Sequence, residues 1–94
     1  MSDADAAWMR SVAEAVPLGA RVVGVVAERH PFGVFVRLDD HPDIRAIVEI
    51  NNYRPHGSPV PPEGLPPAGA RVDAIVVDHV PLNRQVRLRV SSGS

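Results

Sequence analysis

The chain has no cysteine among its 94 residues, and although it carries ten basic side chains none is lysine. Without thiols there is no disulfide framework, no thiolate metal site and no cysteine nucleophile, a composition that accords with a reducing compartment, so a cytoplasmic location is expected. With lysine missing, every cation is arginine, the side chain that forks onto phosphate and stacks on flat rings. Aromatics are scarce as well: one tryptophan, one tyrosine and two phenylalanines. No apolar run approaches the ~18 residues a membrane helix needs, and the early acids Asp3 and Asp5 lack the positive charge of a secretion signal. A soluble single domain with no membrane partner is expected, near the lower size at which one core suffices without staples.

The formal net charge is −1, which excludes a protein that coats nucleic acid through a broad cationic surface. The sign is uneven along the chain. Residues 1–17 hold three acids and one arginine, leaving nine arginines and eight acids for residues 18–94. Any anion-binding site in the main body must therefore be a local patch.

Residues 4–16 read as a helix: Trp8, Met9, Val12, Ala15 and Val16 recur near a 3.6-residue period, Ser2, Asp3 or Asp5 can cap the start, and Pro17 ends it. So short a helix is marginal alone and is expected to order by laying Trp8 and Val12 against the rest of the domain. From Arg21 the period changes to two. Val22, Gly24 and Val26 share one face of a first strand, Val34, Val36 and Leu38 alternate on a second, and Val48 and Ile50 on a third. Asp39-Asp40-His41-Pro42-Asp43 between the second and third reads as a solvated loop. Six prolines between Pro55 and Pro67 rule out a central strand or regular helix there, leaving either a functional loop or a stiff crossover. Two more strands, roughly 70–77 and 85–90, precede a polar tail at 91–94. Five short strands with a long connection after the third predict an all-β, five-stranded Greek-key barrel of the oligonucleotide-binding (OB-fold) type. It spans 18–90, with a helical extension at 1–17 and a disordered tail. Its core is expected to hold Val22, Val26, Val36, Val48, Ile50, Val72, Val86 and Leu88.

Residues 18–90 resemble the S1-type RNA-binding domain. The family's first strand, G-x-x-V-x-G-x-V, is matched by Gly19, Val22, Gly24 and Val26, and its F-G-x-F-V-x-L by Phe32, Gly33, Phe35, Val36 and Leu38. Gly69, Val72, Val76, Val86 and Leu88 fit the last two strands. The resemblance implies a barrel whose outer surface holds single-stranded RNA, with Phe32 and Phe35 as base-stacking rings. At three further contact positions the chain departs. Glu49 stands where the family has a histidine, Val80 where it has an aspartate, and Gln85 where it has an arginine.

A bulge at Gly33 is expected to place both phenylalanines outside, where stacking contributes ~1–3 kcal/mol per base. Arg37 shares the face of Phe35, and Arg87 and Arg89 share a face of the fifth strand; with Arg84 in the turn before it they form the expected cationic rim. The candidate nucleic-acid-binding residues are thus Phe32, Phe35, Arg37, Glu49, Arg84, Arg87 and Arg89. Tyr53 and Arg54 stand at the mouth of the proline-rich segment and either anchor it or add a contact. His30, His41, His56 and His79 match no zinc spacing, and Asp39, Asp40 and Asp43 lack the layout of a calcium loop. No nucleophile motif or phosphate-cradling glycine loop is present, so no enzyme, metal or cofactor is expected. Two readings remain: a module binding single-stranded RNA weakly through stacking and an arginine patch, or a barrel of the same ancestry whose Glu49 and Val80 face and proline-rich loop contact a protein.

Overall fold

The computed structural model describes residues 2–53 and 61–91. Its elements are one helix, α1 (Asp3–Ala15), and five strands: β1 (Arg21–His30), β2 (Gly33–Leu38), β3 (Ala46–Glu49), β4 (Arg71–Val80) and β5 (Gln85–Val90). The strands close into a barrel in the order β1-β2-β3-β5-β4, with β3 and β5 parallel and the other pairs antiparallel. That is the expected all-β barrel with a short N-terminal helix. Among the described residues no helix is long and apolar enough to cross a membrane.

The interior is filled largely by valine, whose branched side chain suits a pleated, curved surface. Val26, Val34, Val36, Val48, Val76, Val86 and Leu88 are each at most 3 % exposed. Of the eight expected core residues, Val22 and Ile50 differ: both are half-buried and pack at the edge of the cluster rather than within it. Each lies near a strand end, where the barrel opens to solvent. Within the described part of the proline-rich connection, a single 3₁₀ turn at Pro62–Gly64 delivers Leu65 into the core. There the connection serves as a stiff crossover that fills the barrel. Its residues 54–60, including Arg54 and His56, and the tail at 92–94 lie outside the described residues.

Ser2 caps α1, its hydroxyl oxygen accepting from the Asp5 amide at 3.1 Å. Val12 and Val16 are buried in the barrel core and Trp8 packs against it, as the sequence predicts. The far end of the helix is pinned by His79, whose Nε2 lies 2.7 Å from the Val16 carbonyl oxygen. His79 faces inward because β4 bulges at Val77: the ladder steps from Val76↔Leu88 to Asp78↔Arg87, and the extra residue flips the faces beyond it.

Two exposed arginines tie β4 to its surroundings, one to β1 and the other to the end of β2. Arg21 donates to both Asp73 oxygens (2.9 and 2.6 Å), and Arg71 reaches Asp39 at the end of β2. Hydrogen bonds from Arg21, then from the Ser91 hydroxyl, hold the Asp73 carboxyl below the ordinary carboxylate value. A lowered pKa adds stability above the ordinary value of about 4, and that stability disappears as the pH falls through the lowered one. The difference in urea stability between wild type and Asp73→Asn is therefore expected to shrink as the pH drops below about 4.

Close approach fixes β2 between its neighbours. A Cβ on Gly33 would run into the Val48 carbonyl oxygen and stand 2.9 Å from the Glu49 Cα, so only glycine lets β3 pair here. Gly33→Ala is expected to lose about 1–3 kcal/mol in urea titration. Leu88→Ala, at a fully buried position, is expected to lose about 2–5 kcal/mol.

Candidate nucleic-acid interface

The outer face of β1, β2 and β3 gathers the aromatic residues. Alternation along β2 sends Val34, Val36 and Leu38 inward and Gly33, Phe35 and Arg37 outward. Phe35 thus faces out by ordinary pleating, and Phe32 stands in the turn just before the strand, 50 % exposed. The expected bulge at Gly33 does not occur. The bulge lies across the ladder in β1, at Ala27, where pairing steps from Val26↔Val36 to Glu28↔Phe35.

That displaced bulge has a consequence for the face. It turns His30 onto the same side as the two phenylalanines, opposite Gly33 in the ladder. The His30 ring stacks on Phe32 (centroids 5.0 Å apart, planes 7° from parallel) and meets Phe35 edge-on at 5.5 Å. Its Nε2 lies 3.0 Å from Glu28 Oε2. Phe32 and Phe35 are themselves edge-to-face at 6.0 Å, and the Arg45 guanidinium lies 4.8 Å from the centre of the Phe35 ring. Ile47, paired with Phe35, points outward yet is only 4 % exposed, an apolar floor under the face rather than part of the interior.

These side chains line an open concavity of about 600 Å³, bordered on the far side by Glu49, Gln85 and Arg87. Glu49 does not stand there as a bare charge, because Arg87 Nε lies 2.9 Å from its Oε1. The departing residues Val80 and Gln85 are cross-strand partners, and two rungs away, on the same face, Asp78 pairs with Arg87.

Of the seven residues expected from the sequence, Phe32, Phe35, Glu49 and Arg87 meet in this concavity, and Arg37 lies one step further along β2. Arg84 and Arg89 do not join them. Arg84 takes a left-handed backbone (φ 54°) and ion-pairs with Asp5 of α1 at 3.1 Å, tying helix to turn. Arg89 donates to the Asn52 side-chain oxygen at 3.3 and 3.4 Å. His30 and Arg45 were missing from the sequence expectation. Arg45 was within reach of it: Phe35 and Ile47 face each other, so the residue two before Ile47 shares their side. His30 was not, since its side depends on the Ala27 bulge. Tyr53 is half-buried and packs against the core.

No family model matches the sequence, and no curated protein does. Solved structures do. A chain in the crystal structure of the a/eIF2alpha–aDim2p–rRNA complex from Pyrococcus horikoshii OT3 is 26 % identical, with a TM-score of 0.63 over 78 % of this chain and 43 % of that one. The intact alpha subunit of aIF2 from Pyrococcus abyssi is 25 % identical, with a TM-score of 0.64 over 77 % of this chain and 27 % of that one. Mycoplasma genitalium RNase R, solved in complex with ribose-methylated single-stranded RNA, aligns over 93 % of this chain and 15 % of its own, at 14 % identity and TM-score 0.65, a likeness of fold. The chain spans less than half the length of each of these structures. With its β1-β2-β3-β5-β4 closure and its preserved strand motifs, the chain is a barrel of the S1-type oligonucleotide-binding fold.

Proposed function

We propose that this barrel binds short single-stranded RNA weakly, in the cytoplasm, as a binding module rather than an enzyme and without metal or cofactor. The observation that carries the reading is the half-exposed cluster of Phe32, Phe35 and His30 on the outer face of an S1-type barrel. Flat rings presented to solvent over an apolar floor offer stacking surfaces to bases of any sequence. Two similar structures, one containing rRNA and one single-stranded RNA, support the ligand class.

Phe32→Ala is expected to weaken binding of a short oligouridylate about 5- to 150-fold, corresponding to ~1–3 kcal/mol of lost stacking, with the melting temperature nearly unchanged. Phe35→Ala is expected to weaken it similarly. A large loss of thermal stability in either variant would instead mark the ring as structural.

Glu49 accounts for weakness in two ways. It places a carboxylate on the contact face, and it occupies Arg87, an arginine otherwise available to phosphate. Replacement by histidine or glutamine removes the charge and releases Arg87. Glu49→His is expected to tighten oligouridylate binding, most clearly at low salt, with stability within about ±0.5 kcal/mol of wild type. Fluorescence anisotropy at two ionic strengths, with a urea melt of each variant, reads both quantities.

The neutralised Glu49–Arg87 pair also favours a second reading, a protein-contact surface. Amide shifts followed by NMR during oligouridylate titration separate the two. Shifts confined to β1, β2 and β3 favour RNA, and none at low ionic strength, in wild type or Glu49→His, favours a protein partner.

A further inference from the structure

Five of the nine described arginines hold a side-chain acceptor, and of the other four, Arg10, Arg29, Arg37 and Arg45, the last two stand together. Arg21, Arg71, Arg84 and Arg87 each hold a carboxylate within 3.1 Å, and Arg89 holds Asn52. All eleven aspartates and glutamates lie among the described residues, as do Arg37 and Arg45, so any pairing between them is visible. None of them pairs with Arg37 or Arg45.

These two arginines are neighbours. The antiparallel ladder between β2 and β3 runs Phe35↔Ile47 and Val36↔Ala46, and one more step in the same register sets Arg37 opposite Arg45. Both are exposed and line a second concavity of about 290 Å³, floored by Ala27, Pro42 and Ile44 and sharing Phe35 and Glu28 with the aromatic one. The single acid in that lining, Glu28, is engaged by His30. Like charges directly opposite across a sheet repel and destabilise it. Here two cations face each other, with no side-chain carboxylate between them, beside a stacking ring.

We propose that Arg37 and Arg45 form a phosphate subsite that grips the backbone of a single-stranded nucleic acid while its bases stack on Phe35 and Phe32. The inference rests on the RNA reading above and adds where the backbone is held: at the β2–β3 edge, away from the β5 arginines that the sequence pattern favours. Arg45 is suited to both tasks, since its guanidinium covers Phe35 while its outer edge donates to an oxygen.

The test measures oligouridylate binding by anisotropy from about 20 to about 200 mM salt for wild type, Arg37→Gln, Arg45→Gln, Arg45→Lys and Arg21→Gln. Each phosphate contact on a single strand contributes about 0.7 to the slope of log affinity against log salt. Arg37→Gln and Arg45→Gln are each expected to reduce that slope by about 0.7 and to weaken low-salt binding about 1.5- to 5-fold. Arg45→Lys keeps the slope. Arg21→Gln leaves it unchanged, because Arg21 lies outside both concavities, paired with Asp73. Wild-type binding with unaltered slopes in Arg37→Gln and Arg45→Gln would overturn the subsite. A parallel titration with inorganic pyrophosphate follows the arginine Nε–H resonances by NMR. If oligouridylate does not bind but pyrophosphate shifts Arg37 and Arg45, the anion site stands and the RNA reading falls; if pyrophosphate moves neither, the subsite falls.

Discussion

Strand β2 is held edge to edge between β1 and β3, and the contact at Gly33 is what permits it. With no side chain there, the β3 backbone comes up to the strand at Val48 and Glu49. From that pairing follow the inward valines Val34, Val36 and Val48, which close the core, and the outward Phe35 and Ile47, which build the outer face. The same strand supplies packing and recognition because its two faces have separate roles. A substitution that disturbs β2 pairing therefore disturbs both.

Bulges decide which polar groups reach which face. The extra residue at Ala27 turns His30 outward onto the phenylalanines, and the one at Val77 turns His79 inward to the end of α1. Each is one residue long, and each reassigns a histidine from one side of the sheet to the other. One imidazole thereby becomes part of an aromatic platform and the other a clasp for the helix.

Charge is distributed with the same economy. Arginine–carboxylate pairs bind the seam of the barrel and tie the helix to the β4–β5 turn, and one of them neutralises Glu49. Exposed pairs of this kind contribute little stability individually, ~0–1 kcal/mol. Their larger effect is to withdraw four arginines, Arg87 among them, from the pool available to an anion, while Arg37 and Arg45 beside Phe35 pair with no aspartate or glutamate.

The architecture is legible along the chain: the change from a 3.6-residue to a two-residue period, the prolines after the third strand and the glycine-led motifs specify a helix and a five-stranded barrel. These are local properties of the chain, set by which side chains alternate and where the backbone cannot continue. The sequence also marked Phe32 and Phe35, whose positions follow from the motif and from simple alternation. Which side chains become neighbours is fixed by folding alone. Arg84 and Arg89 read as surface cations in the sequence, yet Asp5 lies 79 residues from Arg84 and Asn52 lies 37 from Arg89, and nothing local announces either partner. Likewise His30 and Arg45 join the aromatic face through a bulge and a cross-strand register, both fixed when separate strands pair. Alternation is written residue by residue, but the register between strands is settled only when the whole barrel closes on its core.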